Sequence, residues 1–363
     1  PRHCDRRCSE HWVGLLTLFF VTDRADAHVS RFDALFETLT ADYELVRVTY
    51  EADGKPIATI AGATHKSWVA IRAELASEAS VVVSGPLDTV SVNLVGRSFS
   101  HVGISFATDV MVTAAQSHAE LSRLRTLVES IDVLVTDNHA TENALISMGA
   151  AADKVLRIPW GPEVVVASSK TRAECGWPED RRIVLYPRSL EPHYDPGVFI
   201  NALALVAKRV PDVLAVLVEV GSLVGDTKKR IAGAGLGAHV HFEPLREPRE
   251  FRAMMACADV VVVTPRTDGT SVTVMDAMAQ GVPVVSSLTA GSAEWVVEGI
   301  TGWTFPVGSA TSLADAMERA LLAEESHRAL MIEQAKTLVS RKAGWDTSAQ
   351  RLGEVIRRLL AGH

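Results

Sequence analysis

The stretch that most constrains the fold lies between residues 259 and 287. It begins with the unbroken valine run Val260–Val263, which is typical of a strand covered by helices on both faces. Turn-forming residues around Gly269 end that strand, and apolar residues at helical spacing follow Ser271, a suitable N-cap. The pattern predicts one strand–loop–helix–strand unit of a parallel α/β sheet. The N-terminus of its helix presents free backbone N–H groups.

Strand and helix patterns alternate along the rest of the chain, which predicts two α/β domains. In the second domain we also expect helical sequence over residues 311–340 and a last amphipathic helix over 347–360. The predicted strands are 15–21, 43–48, 81–84, 102–106, 133–136 and 155–158 in the first half, and 183–186, 213–220, 240–242, 260–264 and 284–286 in the second.

The sequence also suggests the domain boundaries. We expect a disordered leader over residues 1–11, whose His and Cys residues lack the framework of a zinc site, so no metal site is predicted. The predicted domains are 12–166 and 181–344, joined by a polar linker at 167–180, with a C-terminal helical segment at 345–363.

Composition excludes several classes of function. The chain has 363 residues and a net charge of −8, so it lacks the basic surface that a nucleic-acid partner needs. No apolar run reaches the roughly 18 residues of a membrane span. Four cysteines in a chain of this length do not form a disulfide framework. We therefore expect a cytoplasmic protein, with peripheral membrane attachment left open, and the excess of arginine over lysine indicates a bacterial source.

Two acids flank the start of the helix in the opening stretch. Asp268 lies in the loop and Asp276 in the helix, with seven residues between them. The flanking sequences are DGTSV, DAMAQGVPVVSS, GSAE and GITG. Together these motifs resemble the donor loop of the retaining GT-B glycosyltransferases of family four, the glycosyl transferases group 1. The usual form of that loop has two glutamates at this spacing, so both acids are one methylene shorter here.

The resemblance implies a fold and a set of donor contacts. The expected fold is GT-B: two Rossmann-like domains facing a cleft, with the C-terminal helix crossing back to the first domain. Asp276 would accept hydrogen bonds from the ribose hydroxyls, and Asp268 would face hydroxyls of the donor sugar. Leu245 lies in the segment that would seat the base. Backbone N–H groups of the helix start would meet the sugar and the diphosphate; these are the N–H groups of Gly269, Thr270, Ser271 and Val272.

A basic residue follows the first strand of the second domain. Members of the family usually carry an arginine there and a lysine about five residues later, and both grip the donor diphosphate. Arg188 matches the arginine, and a guanidinium suits phosphate oxygens. His193 or Tyr194 stands where the lysine is expected, and His193 is the candidate second contact. A surface arginine at a strand end is the alternative for Arg188.

The first domain offers two further candidates for catalysis. His28 stands at the start of a predicted helix, where some relatives keep a histidine. Asp109 ends a segment that resembles a Gly-Ser-Asp strand end pointing into the cleft, although Ala107 replaces the glycine. A helix cap is the alternative for each of these residues.

The predicted function is transfer of a sugar from a UDP- or GDP-type donor to an acceptor hydroxyl, with retention of configuration and without a metal. The nucleotide sugar is the donor substrate and no cofactor is expected. The acceptor could be a small molecule, a glycan or a lipid-linked molecule. Two alternatives remain open: another GT-B sugar-nucleotide enzyme of epimerase or phosphorylase type, and a non-catalytic protein that binds sugar nucleotides.

Overall fold

A computed structural model describes residues 17–23, 44–50, 56–59, 79–87, 99–162 and 170–362, together with Phe32, Leu35, Phe36, Ser91 and Leu94. These residues form two compact units. The first takes in the described residues up to Asp137, then 141–158 and 349–362. The second takes in 138–140, 159–162 and 170–348.

The first unit contains a seven-stranded sheet with the order β3-β2-β1-β4-β5-β6-β7. Its pairings are parallel except for β3, which runs antiparallel to β2 at the edge. The strands are β1 Thr17–Asp23, β2 Glu44–Tyr50, β3 Pro56–Thr59, β4 Ala79–Gly85, β5 Ser100–Ile104, β6 Val133–Thr136 and β7 Val155–Arg157. The helices described here are α1 Thr108–Met111, α2 Thr113–Gln116, α3 His118–Ser130 and α4 His139–Ser147.

The second unit contains a six-stranded parallel sheet with the order β10-β9-β8-β11-β12-β13. The strands are β8 Arg182–Tyr186, β9 Val213–Val218, β10 Val240–Glu243, β11 Val260–Val263, β12 Val284–Ser287 and β13 Trp303–Phe305. The helices are α5 Arg172–Cys175, α6 Pro196–Arg209, α7 Val224–Gly233, α8 Pro248–Met255, α9 Val272–Gln280, α10 Ala310–Leu321 and α11 Glu325–Lys342. The last helix, α12 Trp345–Ala361, begins in the second unit, and its residues from 349 onward belong to the first unit.

Both faces of the second sheet are buried, which explains the unbroken valine run of β11. Val260 and Val262 belong to the core that includes α6 and α10, whereas Val261 and Val263 belong to the core that includes α9 and α11. Successive side chains of a strand point to opposite faces, so each face of β11 needs its own apolar residues. All four valines are fully buried.

The sequence predicted the described strands of both sheets to within a few residues, apart from two. The short edge strands β3 and β13 were missed, because neither carries a long β-branched run. The helical sequence expected over 311–340 is confirmed as two helices, because α10 ends at Leu321 and Glu325 begins α11. The two helices belong to different layers, so the chain must turn between them.

The stretch predicted as the linker is structured where the structure describes it. Helix α5 begins with a capping box, in which the Thr171 hydroxyl accepts from the Glu174 N–H and the Glu174 carboxylate accepts from the Thr171 N–H. Trp177 is buried in the core of the second unit. Within the described residues, no helix has the length and apolar character needed to cross a membrane. The predicted leader, 1–11, lies outside the described residues.

Candidate functional site

The second sheet changes direction between β8 and β11. From β8 the chain builds outward through β9 to β10, and it then returns to place β11 on the other side of β8. Loops at the carboxyl ends of two such strands diverge and leave a crevice, which is the usual ligand position in an open α/β sheet. Arg188 follows β8 and Asp268 follows β11. Two of the candidates from the sequence therefore lie at this switch point.

The Arg188 side chain joins these two loops to the start of α9. One terminal nitrogen, Nη2, donates to Asp268 Oδ2 over 3.0 Å, and Nη1 donates to Thr273 Oγ1 over 3.1 Å. The side chains of Arg188 and Asp268 are only 13% and 16% exposed, so water screens this pair less than a surface ion pair. A guanidinium has more N–H groups than these two bonds use. The Arg188–Asp268–Thr273 cluster thus combines a fixed positive group with the N-terminal turn of a helix.

The N-terminal end of α9 is buried. Ser271 occupies the N-cap position, as predicted, but its hydroxyl makes no capping hydrogen bond, and its Oγ is buried without a partner among the described residues. Gly291 follows β12 and lies directly against this loop, because a Cβ atom there would come within 2.1 Å of the Gly269 carbonyl oxygen. The backbone of Gly291 therefore packs against the loop from Asp268 to Ser271, and a side chain at residue 291 would clash with this loop.

Asp276 is on the buried face of α9. It is 8% exposed, so it is not a solvated residue on the surface of the helix. Its Oδ2 lies 4.0 Å from Nη1 of Arg252, a residue of α8 that is itself 6% exposed. A buried carboxylate needs a compensating charge or hydrogen bonds. The pair has two readings: a purely structural ion pair, or a charged anchor that holds Asp276 ready for ligand hydroxyls.

His193 and Tyr194 end a short 3₁₀ turn after β8. Tyr194 places its ring under the guanidinium of Arg188, with Cζ 3.9 Å from the ring centroid. His193 stacks obliquely on the same tyrosine, with ring centroids 3.8 Å apart. Burial, and then the nearby Arg188 charge, lower the pKa of His193 below its usual value. The histidine is therefore a poor source of positive charge at neutral pH.

Leu245, the candidate base contact, lies in the loop after β10. Its side chain is 70% exposed. The neighbouring Glu243 is buried, and Arg246 binds it over 2.6 Å and also binds Glu250 over 3.0 Å. Among the described residues, the hydrogen bonds around Arg188 do not extend to this loop. A role of Leu245 in seating a base stays a prediction.

In the first unit, the Asp109 carboxylate links the loops after β4 and β5. It accepts from the Leu87 N–H over 2.7 Å, from the Ser105 hydroxyl over 2.8 Å and from the Val110 N–H over 3.1 Å. Burial raises the pKa of Asp109 to about 6, although these hydrogen bonds oppose the shift. The geometry is that of a loop anchor at the start of α1. A role toward an acceptor stays a prediction, and His28 lies outside the described residues.

Ala107 stands where the family pattern has a glycine, and it adopts a backbone conformation that favours glycine. Its φ of 68° and ψ of −51°, with the Thr108 N–H donating to the Phe106 carbonyl over 2.9 Å, define a tight γ-turn. Such a positive φ favours glycine and costs other residues about 1 kcal/mol or more. A glycine, as in the Gly-Ser-Asp segment, would adopt this conformation without that cost.

The sequence did not reveal two residues of the site. Thr273 is one of several polar residues near the start of α9, and nothing in the sequence distinguished it as a partner of Arg188. Arg252 stands within the sequence FRAMM of α8, and a single sequence does not show that this arginine is buried. Among the described residues, no His, Cys, Asp and Glu side chains are grouped as a metal site requires.

Comparison with known proteins identifies the domain that carries the site. Residues 168–338 match the family model described as glycosyl transferases group 1. Over these residues the chain is similar to a glycosyl transferases group 1 domain. This domain contains Arg188, Asp268 and Asp276, the residues on which the resemblance in sequence depended.

Two curated relatives share part of their length with the chain. The D-inositol 3-phosphate glycosyltransferase of Corynebacterium aurimucosum is 26% identical over 243 residues, which are 63% of this chain and 57% of that protein. A GDP-mannose-dependent alpha-(1-6)-phosphatidylinositol monomannoside mannosyltransferase of Mycolicibacterium smegmatis is 28% identical over 184 residues, 49% of this chain and 48% of that protein. The chain thus spans about half to three-fifths of the length of these relatives.

A solved structure resembles nearly the whole chain. Anabaena Alr3699/HepE in complex with UDP-glucose has a TM-score of 0.76 at 19% identity, with 94% of this chain and 100% of that chain covered. At this identity the similarity establishes the fold, which is the α/β fold of the GT-B glycosyltransferases, with two largely parallel sheets. The fold class predicted from the sequence is confirmed.

The raised pKa of Asp109 predicts a pH dependence of stability outside the glycosyl transferases group 1 domain. The folded-state pKa of about 6 exceeds the ordinary value of 3.8, so the folded state binds the proton more tightly. This stabilisation is fully present below pH 3.8 and is lost as the pH rises through 6, a change of about 3 kcal/mol. We expect Asp109→Asn to remove it, so that urea unfolding of parent and variant between pH 4 and 7 shows the parent losing stability relative to the variant. Parallel stability curves would contradict the assignment.

Proposed function

We propose that the protein is a retaining glycosyltransferase that uses a UDP- or GDP-sugar as donor and an acceptor hydroxyl as the second substrate. The observation that carries the proposal is the Arg188–Asp268–Thr273 cluster at the switch point of a glycosyl transferases group 1 domain. The named relatives include a GDP-mannose-dependent enzyme, and the structurally similar HepE was solved with UDP-glucose. These relatives support both types of donor. Those with a named organism above are bacterial, which supports a bacterial source.

Arg188 and the start of α9 are suited to hold the diphosphate of such a donor. The guanidinium offers N–H groups that its two protein bonds leave over, and the first turn of α9 adds backbone N–H groups with the positive end of the helix dipole. Departure of the nucleoside diphosphate places negative charge on its terminal phosphate. Donors fixed in advance around that charge lower the barrier without a metal ion.

Asp276 and Asp268 would contact opposite ends of the donor, which are the ribose and the transferred sugar. The buried Asp276 lies within α9, on the far side of the diphosphate-binding turn, and would accept from the ribose hydroxyls. Asp268 lies in the preceding loop and would accept from the transferred sugar. The acceptor hydroxyl would attack the anomeric carbon from the face that the diphosphate leaves, and the departing phosphate would take the acceptor's proton. The anomeric configuration is then retained.

The direct test of this function is hydrolysis of the sugar nucleotide, which can be measured without knowing the acceptor. We expect the protein to hydrolyse UDP-glucose or GDP-mannose slowly, releasing the nucleoside diphosphate, at the same rate with and without EDTA. Early release of the α-anomer of the sugar, followed by NMR, would show retention. Loss of turnover in EDTA with recovery in Mg²⁺ would overturn the metal-free account. Binding of the donor without hydrolysis would favour a non-catalytic binding protein.

Binding experiments should distinguish the roles of Asp276 and Asp268. We expect Asp276→Asn to weaken free UDP or GDP and the corresponding sugar nucleotide by similar factors of about 10 to 100, because a charge-assisted bond to the ribose contributes to both. We expect Asp268→Asn to leave affinity for the free nucleoside diphosphate undiminished, since a carboxylate that occupies Arg188 is removed. The same variant should bind the sugar nucleotide more weakly.

Calorimetric titration of both ligands into both variants provides the measurement, with melting temperatures as the control for folding. Parent-like affinity of Asp276→Asn for the nucleoside diphosphate would contradict the ribose assignment. It would instead favour the reading of Asp276 and Arg252 as a structural ion pair.

A further inference from the structure

The planar guanidinium of Arg188 is held by contacts both along its edge and on one face. Nη2 donates one hydrogen bond to Asp268, and Nη1 donates one to Thr273. The ring of Tyr194 covers one face of the guanidinium, with Cζ 3.9 Å from the ring centroid. The Arg188 side chain is only 13% exposed, and a cation over an aromatic face is held more strongly when it is shielded from water. Three contacts from three directions thus define the plane of the guanidinium.

Tyr194 is in turn fastened to the two strands that flank the switch point. Its carbonyl oxygen accepts from the Tyr186 hydroxyl at the end of β8 over 2.8 Å. The same oxygen accepts from the hydroxyl of Thr264, the residue after β11, over 2.5 Å. A hydroxyl at the end of each strand therefore donates a hydrogen bond to this carbonyl, so the two strands fix the position of Tyr194.

The neighbours of Tyr194 tie the same two loops together. The Arg266 N–H donates to the His193 carbonyl over 2.8 Å, and the Arg266 guanidinium pairs with Asp195 at 2.9 Å. Asp195 caps α6 through a bond from the Val198 N–H, which fixes the chain directly after Tyr194. The turn that carries the tyrosine is thus anchored on both sides.

Among the described residues, Arg188 is the main source of positive charge at this site. His193 lies beside Tyr194, but its burial and the Arg188 charge favour its neutral form, so it does not supply a second fixed cation. Arg266 is already paired with Asp195, and its side chain is 63% exposed. The affinity of this site for a diphosphate should therefore depend on how well the Arg188 guanidinium is oriented.

We propose that Tyr194 is a positioning residue, whose ring holds the Arg188 guanidinium in the plane that presents its remaining N–H groups to the donor diphosphate. This inference rests on the proposed function and goes beyond it, since it assigns the residue after the expected lysine position a role through its aromatic face. An arginine held in advance loses less side-chain entropy when it binds and needs less reorganisation when charge develops. The tyrosine hydroxyl has no part in this role.

The test compares two substitutions of Tyr194. Tyr194→Phe keeps the ring and should stay within about threefold of the parent in affinity for inorganic pyrophosphate, UDP and GDP. Tyr194→Leu removes the aromatic face and should weaken these ligands about 5- to 30-fold, the effect of losing a partly shielded cation–π contact. It should also lower kcat/KM for donor hydrolysis by a similar factor. Rescue by phenylalanine distinguishes orientation by the ring from a role of the hydroxyl.

A double-mutant cycle with Arg188→Ala shows whether the ring acts through the arginine. We expect Tyr194→Leu to have little further effect on pyrophosphate binding once Arg188 is absent, because the ring then has nothing to orient. Lys342→Met is the matched control: it removes a cation from an aromatic face elsewhere in the unit, where Lys342 Nζ lies 5.4 Å from the Trp295 ring centroid. This control should bind pyrophosphate like the parent.

The outcomes separate this inference from the function on which it rests. Equal losses for Tyr194→Leu with and without Arg188, or equal losses for the leucine and phenylalanine variants, would overturn the positioning role and leave the proposed function intact. Failure of the folded parent to bind pyrophosphate, UDP and GDP would overturn the proposed function and the inference with it.

Discussion

The pairing of β8 with β11 is the interaction on which the second unit depends. The two strands are far apart in sequence, yet Val184 pairs with Val260 and Leu185 with Val261 in parallel register. An arginine–aspartate pair closes each end of this junction. Arg172 binds Asp259 at 2.8 Å before β11, and Arg188 binds Asp268 at 3.0 Å beyond the carboxyl ends. The second pair lies where the sheet opens, so the contact that ties the loops together is also placed to meet a ligand.

This arrangement supports the proposal that a site with shortened acids, and with no lysine at the expected position, binds a diphosphate. Asp268 neutralises Arg188 in the absence of ligand, which limits the cost of burying the guanidinium. Arg252 plays the corresponding part for Asp276. Each acid therefore has an arginine within reach, and charge balance is restored inside the protein. A donor that binds the remaining N–H groups of Arg188 leaves the bond to Asp268 in place, so that binding does not create an unpaired buried charge.

The sequence could predict what depends on local pattern and could not predict what depends on tertiary packing. The valines of β11 and the start of α9 follow from periodicity and turn chemistry, and Arg188 and Asp276, which the resemblance singled out, lie within the residues that match the family model. The burial of Arg252 has no local signal, because it results from packing between α8 and α9. The stacking of Tyr194 under Arg188 likewise depends on how two loops meet, and the positive φ of Ala107 breaks the usual residue preference.

A structure of the protein with UDP or GDP bound tests the central claim most directly. The account predicts that phosphate oxygens lie about 2.7–3.1 Å from the Arg188 guanidinium and from backbone N–H groups at the start of α9, with the ribose hydroxyls on Asp276. It also predicts that the Arg188 guanidinium remains over the Tyr194 ring. A diphosphate bound away from Arg188, or a ribose that does not contact Asp276, would contradict the account.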